Sequence, residues 1–406
     1  MTGSPPIRRC FALFTQHEGQ SRVDFTALLS GSDPVVRCHV QWALAPHLAV
    51  PVELDSTLAV ALGSVDEKEW TPRSRVEDAI GSAALMRLIE LGLVLEQGVE
   101  TPAHIRDAAL RESHWHPLLA TAHAFSRWTH VDSLKAQEAS GIRSTADLIA
   151  ASGLPPPHYR LREDAHERVT LERPPAVGLD ALMRRRTTCR NFDPDVALSA
   201  RDLAVVLHRA FGEQGREEIE PGAVALKKNH PSGGGLHPLE AYLLVQHVDG
   251  VDAGLYHYNV ESHALDRLPE PPAFETAAFA RLMVAGQHYF SDAAVLLVVA
   301  VRFPRSSWKY RRHPKIYRAI LLEAGHASQN LYLGATELGL GAYVTAAINE
   351  VDIEEAFGLD ALLEGPIAVC GFGPRRQRLE TVELDPAHRV WDEGGNLVRD
   401  SAAASG

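Results

Sequence analysis

Arginines recur at short intervals in one segment of the chain, between residues 184 and 190. Arg186 and Arg190 stand four residues apart, with the hydroxyl of Thr188 between them. A guanidinium offers forked, always-charged donors and a threonine hydroxyl adds a neutral one, so the three can converge on a phosphate or on an electron-rich ring edge. The alternative is a solvated basic helix end that the helix dipole favours. Both interpretations stay open at this point.

A run of three glycines, Gly233, Gly234 and Gly235, follows Ser232 and lies between two prolines, ahead of a strand pattern. Because glycine has no side chain, such a run lets the backbone approach a flat ligand closely, and its N–H groups can face an anion. A flexible turn is the alternative. The flanking prolines favour a fixed shape.

An amine and a phenol adjoin at Lys309 and Tyr310, just before a long helical pattern. A loop ahead of a helix can bring both groups to a substrate, and both are side chains that can transfer protons. Within the helix, Glu323, His326 and Asn330 share a face that is too polar for a core helix. A core histidine with a satisfied hydrogen bond is the alternative interpretation of His326.

Four histidines between residues 114 and 130 include a seven-residue spacing that a helix would place on one face. No carboxylate accompanies them at ligand spacing, so we expect no metal site. The sequence contains no Walker loop, no GxGxxG and no GxSxG motif. The four histidines are His114, His116, His123 and His130.

The formal net charge of −12 argues against a surface built to follow a nucleic-acid backbone. The hydrophobic share of 45% and the charged share of 23% are ordinary for a globular protein and exclude disorder throughout. No apolar run reaches the roughly eighteen residues of a membrane span. The cysteines are scattered, which fits a reducing compartment, so we expect a soluble cytoplasmic protein. They are Cys10, Cys38, Cys189 and Cys370.

The length of 406 residues predicts two or three domains. Residues 73–91 show helical spacing and end at Gly92 ahead of a short strand pattern at 93–95, an order typical of the last helix and wing of a winged-helix domain. An ordinary packing unit is the alternative. Residues 101–150 are predicted to be helical, and the proline-rich stretch from 155 to 175 to be an extended linker.

From residue 176 onward the pattern mixes helices and strands. Helices are predicted at 178–185, at 199–211 with Ser199 as N-cap and Asp202 three residues on, and at 316–338. Short strands rich in Val, Leu and Tyr are predicted at 241–247, 254–259, 293–301 and 367–372. This arrangement predicts an α/β or α+β sheet protein.

Taken in order, these motifs resemble those of the nitroreductase-like flavoproteins, and more closely those of the SagB/ThcOx-type dehydrogenases, which oxidise azoline rings in ribosomally made peptides. Residues 186–192 resemble the family's Arg-x-Ser-x-(Arg/Lys)-x-Phe motif, and residues 231–238 its Pro-Ser-Ala-Gly-(Gly/Ala)-Leu-(Tyr/His)-Pro segment. The segments 254–258, 339–341 and 371–375 also match. Lys309-Tyr310, Tyr317-Arg318 and the stretch 323–326 resemble the part that separates azoline oxidases from generic nitroreductases.

The resemblance implies FMN as the cofactor. By this likeness Arg186 would reach the phosphate, Arg190 would lie near the N1–C2 edge of the flavin ring, and Thr188 would help to hold the cofactor. Ser232 and the backbone of the three glycines would line the flavin. Lys309 and Tyr310 would handle the substrate proton. The FMN contacts implied in this way are Arg186, Thr188, Arg190, Ser232, Gly233, Gly234, Gly235, Arg375 and Arg376.

We therefore expect an α+β, nitroreductase-like FMN-binding domain over residues 176–390. Before it we expect a winged-helix-like domain over 1–100, which could read a leader peptide, and a helical connector with its linker over 101–175; a flexible tail would follow over 391–406. The implied activity is oxidation of thiazoline or oxazoline rings to thiazoles or oxazoles in a modified precursor peptide. The resemblance also implies a homodimer and a cyclodehydratase partner. The acidic net charge and the lack of a membrane-length apolar run predict no nucleic-acid or membrane partner.

Two other functions stay open. One is an NAD(P)H-dependent reductase of nitro, quinone or dehydroamino-acid substrates, against which the Lys309-Tyr310 pair argues. The other is a non-catalytic peptide-binding scaffold with a degenerate flavin fold, which the retained basic positions disfavour.

Overall fold

The computed structural model describes residues 4–398 apart from residues 49, 161, 162, 165, 167 and 174. Its helices are α1 (Phe25–Leu29), α2 (Ser56–Gly63), α3 (Arg73–Ile80), α4 (Ser82–Glu90), α5 (Pro102–Glu112), α6 (Pro117–Phe125), α7 (Ser133–Ala139), α8 (Thr145–Ser152), α9 (Gly178–Arg185), α10 (Ala200–Phe211), α11 (Thr276–Met283), α12 (His288–Ser291), α13 (Phe303–Lys309), α14 (Ile316–Glu337) and α15 (Glu350–Phe357). Its strands are β1 (Ile7–Arg9), β2 (Phe14–Val23), β3 (Val35–Leu44), β4 (Val52–Leu54), β5 (Val94–Glu96), β6 (Glu213–Glu220), β7 (Ala223–Lys228), β8 (Leu239–Val245), β9 (Gly254–Asn259), β10 (Ala264–Arg267), β11 (Val295–Arg302), β12 (Gly341–Thr345) and β13 (Glu364–Gly373). None of the described helices is both long and apolar enough to cross a bilayer.

The chain forms two compact units, each assembled from separated stretches of sequence. The first comprises Met1–Arg127, Arg302–Arg318 and Asp360–Glu364. The second comprises Trp128–Val301, Ala319–Leu359 and Gly365–Gly406. The segment that carries Lys309 and Tyr310 therefore belongs to the first unit. Independent domains with boundaries near residues 100 and 175 stay a prediction.

The first unit combines small antiparallel sheets with short helices. Strands β2, β3 and β4 form one sheet, and β1 pairs with β5 in another. Leucines of α2 and α4 pack with Val76 of α3 and with strand β5, and this buried cluster is the local core. The helices carry their apolar residues on one face because a helix can bury only a stripe of its surface.

The helix predicted over residues 73–91 is two helices, because Gly81 interrupts it. Gly81 has φ 82° and ψ 147°, a conformation outside the helical region that glycine adopts without steric cost. The glycine that ends the second helix, Gly92, has φ 70°, as a helix C-terminal glycine commonly does. The strand that follows, β5, pairs with the distant β1 and not with a strand beside it in sequence. A winged-helix class for residues 1–100 stays a prediction.

The second unit is built on a six-stranded sheet with the order β10-β9-β8-β11-β13-β12. Residues 295–301 of the inner strand β11 are all buried, which explains why this strand is a continuous apolar run and not an alternating pattern. The predicted strands are confirmed, β9 with the predicted bounds and β8, β11 and β13 with ends shifted by a few residues. The α+β class is confirmed for this part of the chain.

Helix positions in the second half also follow the sequence. Helix α9 has the predicted bounds, and α14 ends one residue before its predicted end. The backbone N–H of Asp202 donates to the Ser199 hydroxyl at 3.0 Å, which confirms the predicted N-cap of α10.

The region predicted to be helical, residues 101–150, contains the helices α5, α6, α7 and α8, which lie between residues 102 and 152. Part of the predicted linker, residues 161, 162, 165, 167 and 174, lies outside the described residues. Its other residues from 155 to 175 contain neither helix nor strand.

The flexible tail expected from residue 391 needs correction. Trp391 is buried and forms a bridge with Leu397, and the N–H of Val398 donates to the carbonyl of Val390 at 2.8 Å. Residues 391–398 are therefore a packed part of the second unit. The tryptophan itself was the available signal in the sequence, because burying a large indole ring removes much apolar surface from water. Residues 399–406 lie outside the described residues.

Candidate active site

The basic segment after α9 is extended, and its side chains alternate between two faces. Arg186, Thr188 and Arg190 are half-buried, whereas Thr187 and Cys189 are buried. Arg186 ends α9 with an extended backbone, φ −63° and ψ 115°, and Thr188 forms a parallel bridge with Ala342 of β12. Successive side chains of an extended chain point to opposite sides. The structure thus places the three predicted FMN contacts of this segment on one face.

Tyr332 of α14 joins the first two members of this face. The guanidinium carbon of Arg186 lies 5.2 Å from the centre of the Tyr332 ring. The phenol oxygen accepts from the N–H of Val344 at 3.1 Å, which leaves its own proton for the Thr188 hydroxyl, also at 3.1 Å. Burial raises the pKa of Tyr332, so this phenol stays protonated as a donor. No pattern in the sequence indicates this role of Tyr332.

Arg190 is flanked by aromatic rings. Its guanidinium carbon lies 5.8 Å from the ring centre of Tyr289 and 6.0 Å from that of Phe290. Phe290 in turn stacks on Tyr343, with ring centres 3.9 Å apart. Among the residues that the structure describes, no carboxylate forms an ion pair with the side chain of Arg186 or Arg190. These half-buried cations are therefore suited to an anionic or electron-rich ligand.

A buried carboxylate, Glu383, fixes the other face of the segment. Its Oε1 accepts from the N–H of Arg190 at 2.6 Å and from the side-chain amide of Asn191 at 2.8 Å. Its Oε2 accepts from Arg375 at 2.9 Å and from the Trp391 indole at 2.8 Å. The carboxylate has donors on both oxygens and holds the backbone beneath Arg190 in place. Nothing in the sequence around residue 383 signals this contact, because its partners are distant along the chain.

The two C-terminal arginines differ in their surroundings. Arg375 is buried, pairs with Glu383 and donates to the Thr187 hydroxyl at 3.0 Å. Arg376 is more exposed and lies 3.8 Å from Asp292 and 3.5 Å from Glu380. Arg375 thus contacts the buried face of the segment at residues 186–190. A phosphate-binding role for either arginine stays a prediction.

The glycine run forms a single 3-10 turn, with Gly234 at φ 72° and Gly235 at φ 69°. A Cβ on Gly233 would lie 3.2 Å from the Ala319 side chain, so a larger residue there would press on α14. The Ser232 hydroxyl is engaged within the protein: it donates to Glu323 at 2.5 Å and accepts from the N–H of His237 at 2.9 Å. The run therefore has a fixed shape, as the sequence predicts.

Lys309 and Tyr310 stand at the end of α13 in the first unit. The ammonium of Lys309 lies 5.7 Å from the centre of the Tyr310 ring, and Lys309 is exposed while Tyr310 is half-buried. An exposed amine beside a phenol is open to a ligand. The pair is thus adjacent in space as well as in sequence.

An aromatic cluster of the first unit positions this segment. Phe303 at the start of α13 packs on Trp115, with ring centres 4.2 Å apart. Because His123 Nε2 donates to the carbonyl of Ala361, Nδ1 accepts from the Tyr317 hydroxyl at 3.1 Å. The N–H of Arg312 donates to the His114 carbonyl at 2.8 Å. Residues 302–318 are therefore tied to the N-terminal helices by several contacts.

The interior of the second unit also contains ionisable side chains that the sequence did not predict to lie together. His230 and His237 flank the glycine run, and both face Glu323 of α14. Burial alone would raise the pKa of Glu323, but its interactions with His230, His237 and Ser232 outweigh burial and lower the pKa to about 2. The polar face assigned to α14 was the available signal; of its members, Glu323 is buried and His326 is exposed.

The second unit is thus an α+β sheet domain that carries a segment lined by cations. Residues 183–374 match the model of the Nitroreductase family. The "Putative nitroreductase MJ1384" of Methanocaldococcus jannaschii is 31% identical over 179 residues, which cover 44% of this chain and 83% of that protein. The chain belongs to the nitroreductase family.

Two further relatives are peptide-processing proteins by name. The trifolitoxin-processing protein TfxB of Rhizobium leguminosarum bv. trifolii is 33% identical over 144 residues, 35% of this chain and 38% of TfxB. The microcin B17-processing protein McbC of Escherichia coli is 29% identical over 187 residues, 45% of this chain and 65% of McbC. The matched part thus spans less than two thirds of each of these two proteins. Among solved structures, the E. coli microcin synthetase McbBCD complex with truncated pro-MccB17 matches with a TM-score of 0.49 at 21% identity, covering 69% of this chain and 100% of the matched one.

Proposed function

We propose that this nitroreductase-family chain binds FMN on the face formed by Arg186, Thr188 and Arg190. The observation that carries the proposal is the alternation along residues 186–190, which turns two cations and a hydroxyl toward one side while Thr187 and Cys189 are buried on the other. A phosphate and an electron-rich ring edge are the ligand groups that such donors recognise. The donor set therefore fits the flavin cofactor that the motifs imply.

The remaining contacts extend this face. In the proposal, Arg186 and Arg376 would hold the phosphate, and Arg190 would hold the N1–C2 edge of the flavin, where a cation favours the reduced form. Arg375 supports the phosphate site through Thr187 and Glu383. The turn at residues 232–235 gives the ring a flat backbone surface. FMN, when bound, supplies the acceptor for a hydride, with molecular oxygen as the final electron acceptor.

The substrate in this proposal is a thiazoline or oxazoline ring in a ribosomally made peptide, as the relation to TfxB and McbC supports. Conversion to the aromatic azole removes a hydride from the ring Cβ and a proton from Cα. Lys309 or Tyr310 takes the Cα proton. The proposal includes a homodimer that acts with a cyclodehydratase.

In this proposal, residues 114–123 help to position the proton-transfer pair. Because Trp115, His123 and the carbonyl of His114 anchor the segment 302–318, they position Lys309 and Tyr310. Binding of a leader peptide by residues 1–100 is part of the proposal.

The cofactor proposal is tested by Arg186→Ala. Loss of a charge-assisted hydrogen bond costs about 1.5–3 kcal/mol, so the Kd for FMN should rise by about 10- to 150-fold. FMN binding is measured by flavin fluorescence quenching on the deflavinated full-length chain. Arg184→Ala is the matched control, since Arg184 is exposed two residues earlier, and its Kd should stay within about twofold. A wild-type protein that purifies colourless and takes up no added FMN would refute the proposal.

The reaction is tested on the proton-transfer pair. Lys309→Ala and Tyr310→Phe should keep FMN bound, while turnover of a synthetic thiazoline peptide falls by about a hundredfold or more in at least one of them, the usual scale for a positioned proton-transfer group. Lys315→Ala is the control, because Lys315 is exposed on the same segment and should keep wild-type turnover.

The same assay separates the reductase alternative. A reductase of nitro or quinone compounds needs no base for a Cα proton, so its NAD(P)H consumption would survive both substitutions. Wild-type azoline turnover in both variants, with flavin absorbance intact, would show that Lys309 and Tyr310 are not the proton acceptors. NAD(P)H consumption without azoline turnover in the wild type would favour the reductase.

A further inference from the structure

Three buried side chains of the second unit bring their ligand atoms close together. The atoms are Nε2 of His230, Nδ1 of His237 and Oε1 of Glu323, all within 4.8 Å of one another. The residues are 3%, 6% and 3% exposed. Within the described part of the chain, none of the three atoms has a hydrogen-bond partner. Unpaired buried polar atoms are costly, so three at one point indicate a missing binding partner.

The distances between these atoms match metal coordination better than direct hydrogen bonding. Oε1 of Glu323 lies 3.4 Å from His230 Nε2 and 3.6 Å from His237 Nδ1. A charge-assisted hydrogen bond between such groups would be about 2.7–2.9 Å long. Ligands at about 2.0–2.1 Å from a tetrahedral zinc ion stand about 3.3–3.4 Å apart. The two separations from Glu323 Oε1 are close to that tetrahedral edge, and the two histidine nitrogens lie within 4.8 Å of each other.

The tautomer of His230 supports the same conclusion. Its other ring nitrogen, Nδ1, lies 3.1 Å from the carbonyl oxygen of Ala210, which can only accept, so Nδ1 carries a proton. In the neutral ring Nε2 then presents a lone pair to the carboxylate of Glu323. Two lone pairs facing each other in a buried site repel unless a cation lies between them. An N–H donated to a backbone carbonyl is also the usual outer contact of a metal-bound histidine.

Glu323 is oriented in a comparable way. The Ser232 hydroxyl donates to its Oε2 at 2.5 Å, and this contact turns Oε1 toward the two imidazoles. The same hydroxyl accepts from the backbone N–H of His237 at 2.9 Å, so Ser232 fixes the carboxylate and one histidine relative to each other. Hydrogen bonds that fix ligating carboxylates and histidines are typical of the shell around protein metals.

We propose that His230, His237 and Glu323 bind one divalent first-row transition-metal ion, with zinc as the best match. Two imidazoles and a carboxylate are a ligand set that zinc accepts, and the distances from the carboxylate to the two imidazoles are near those of tetrahedral geometry. The ion fastens the turn at residues 233–235 to helix α14, because two ligands flank the turn and the third is on the helix. This site is separate in its ligand atoms from Arg186, Thr188 and Arg190, and the proposal does not depend on bound FMN.

The test is metal binding to the full-length chain. Protein purified without a metal-affinity step should contain about one equivalent of zinc by mass spectrometry of the ashed sample. After removal of the metal by a chelator, one equivalent of Co²⁺ should produce the visible absorption bands of a tetrahedral site, and zinc should abolish them. Zinc should also raise the midpoint of thermal unfolding of the metal-free wild type.

Variants locate the site. Loss of a contact to a metal ligand lowers metal affinity by roughly 10- to 100-fold, and the loss of zinc affinity in Ser232→Ala should lie in this range. His237→Ala and Glu323→Gln remove ligands themselves, so their zinc affinity should fall further. His326→Ala is the matched control, since His326 is exposed on the same helix, and its affinity should equal that of the wild type.

Wild-type measurements decide the outcome even if a variant fails to fold. A metal-free preparation that gives no Co²⁺ spectrum and no thermal response to zinc overturns the proposal. A ¹⁵N shift of His230 Nε2 typical of a protonated imidazolium, unchanged by zinc, would identify a proton between the groups and would overturn it equally. Zinc binding that survives loss of Glu323 and of His237 would place the ion elsewhere and would also refute the assignment.

Discussion

Removal of the Glu383 carboxylate should strongly destabilise the second unit. In Glu383→Ala, the guanidinium of Arg375, whose side chain is 5% exposed, loses the counter-charge that now lies 2.9 Å away. The N–H of Arg190 and the Trp391 indole lose their acceptor as well. Removing one partner of a buried ion pair costs about 3–5 kcal/mol, because the remaining charge is left uncompensated. The free energy of unfolding of this unit should fall by about that amount.

Thermal unfolding measures the change. For a unit of this size, about 1 kcal/mol moves the midpoint by about 2–4 °C, so a decrease of about 6–20 °C is expected. Glu380→Ala is the matched control: its side chain is 64% exposed and lies 3.5 Å from Arg376. Exposed pairs contribute about 0.2–1 kcal/mol, so the control should shift the midpoint by no more than about 4 °C.

A conservative variant separates charge from packing. Glu383→Gln keeps the side-chain volume but places an amide nitrogen where N–H donors of the protein already point. The midpoint of thermal unfolding of this variant should therefore lie between those of the wild type and Glu383→Ala. If Glu383→Ala were no less stable than Glu380→Ala, the view of Glu383 as an essential counter-charge would be wrong. Equal loss in Glu383→Gln and Glu383→Ala would instead attribute the effect to the hydrogen-bond pattern.

Two further predictions concern titration and reactivity. Burial lowers the pKa of His123 from its ordinary 6.5 to about 4, so between these values the unfolded chain binds the proton that the folded chain excludes. Stability of the first unit should therefore decline as the pH falls from about 6.5 to about 4, and urea titrations of His123→Gln should show a shallower decline. Burial raises the pKa of Cys10, Cys189 and Cys370 to about 12. Mass-spectrometric mapping after iodoacetamide at pH 8 should find these thiols unmodified in the native protein and modified in guanidinium; modification of all three in the native protein would contradict their burial.

Local patterns in the sequence predicted local structure well. The cap at Ser199 and the bounds of α9 and β9 depend on residues within a few positions of one another. Periodicity and turn chemistry act over this range, so they can be read directly. The break at Gly81 is the exception, since nothing in the spacing of apolar residues distinguishes it from a glycine tolerated within a helix.

Contacts between distant residues could not be predicted. Glu383 contacts Arg190 across 193 positions, and His230 and Glu323 meet only because the turn packs on α14. A single sequence carries no signal for such pairs beyond an unexpected polar residue on a buried face. The polar face noted on α14 was such a signal, although it did not indicate which partner Glu323 faces.

The discontinuous first unit has a consequence for synthesis. Its aromatic cluster needs Phe303 and Tyr317 beside Trp115 and His123, and the His123 ring also bonds to the carbonyl of Ala361 at 3.1 Å. A ribosome must therefore add 194 residues after His123 to reach Tyr317, and 238 to reach Ala361, before this cluster can close. Until then the nascent chain presents apolar rings that a chaperone can recognise. Expression of residues 1–127 alone would leave the same rings uncovered, so a soluble N-terminal fragment should be designed with Trp115 and its neighbours replaced by polar residues.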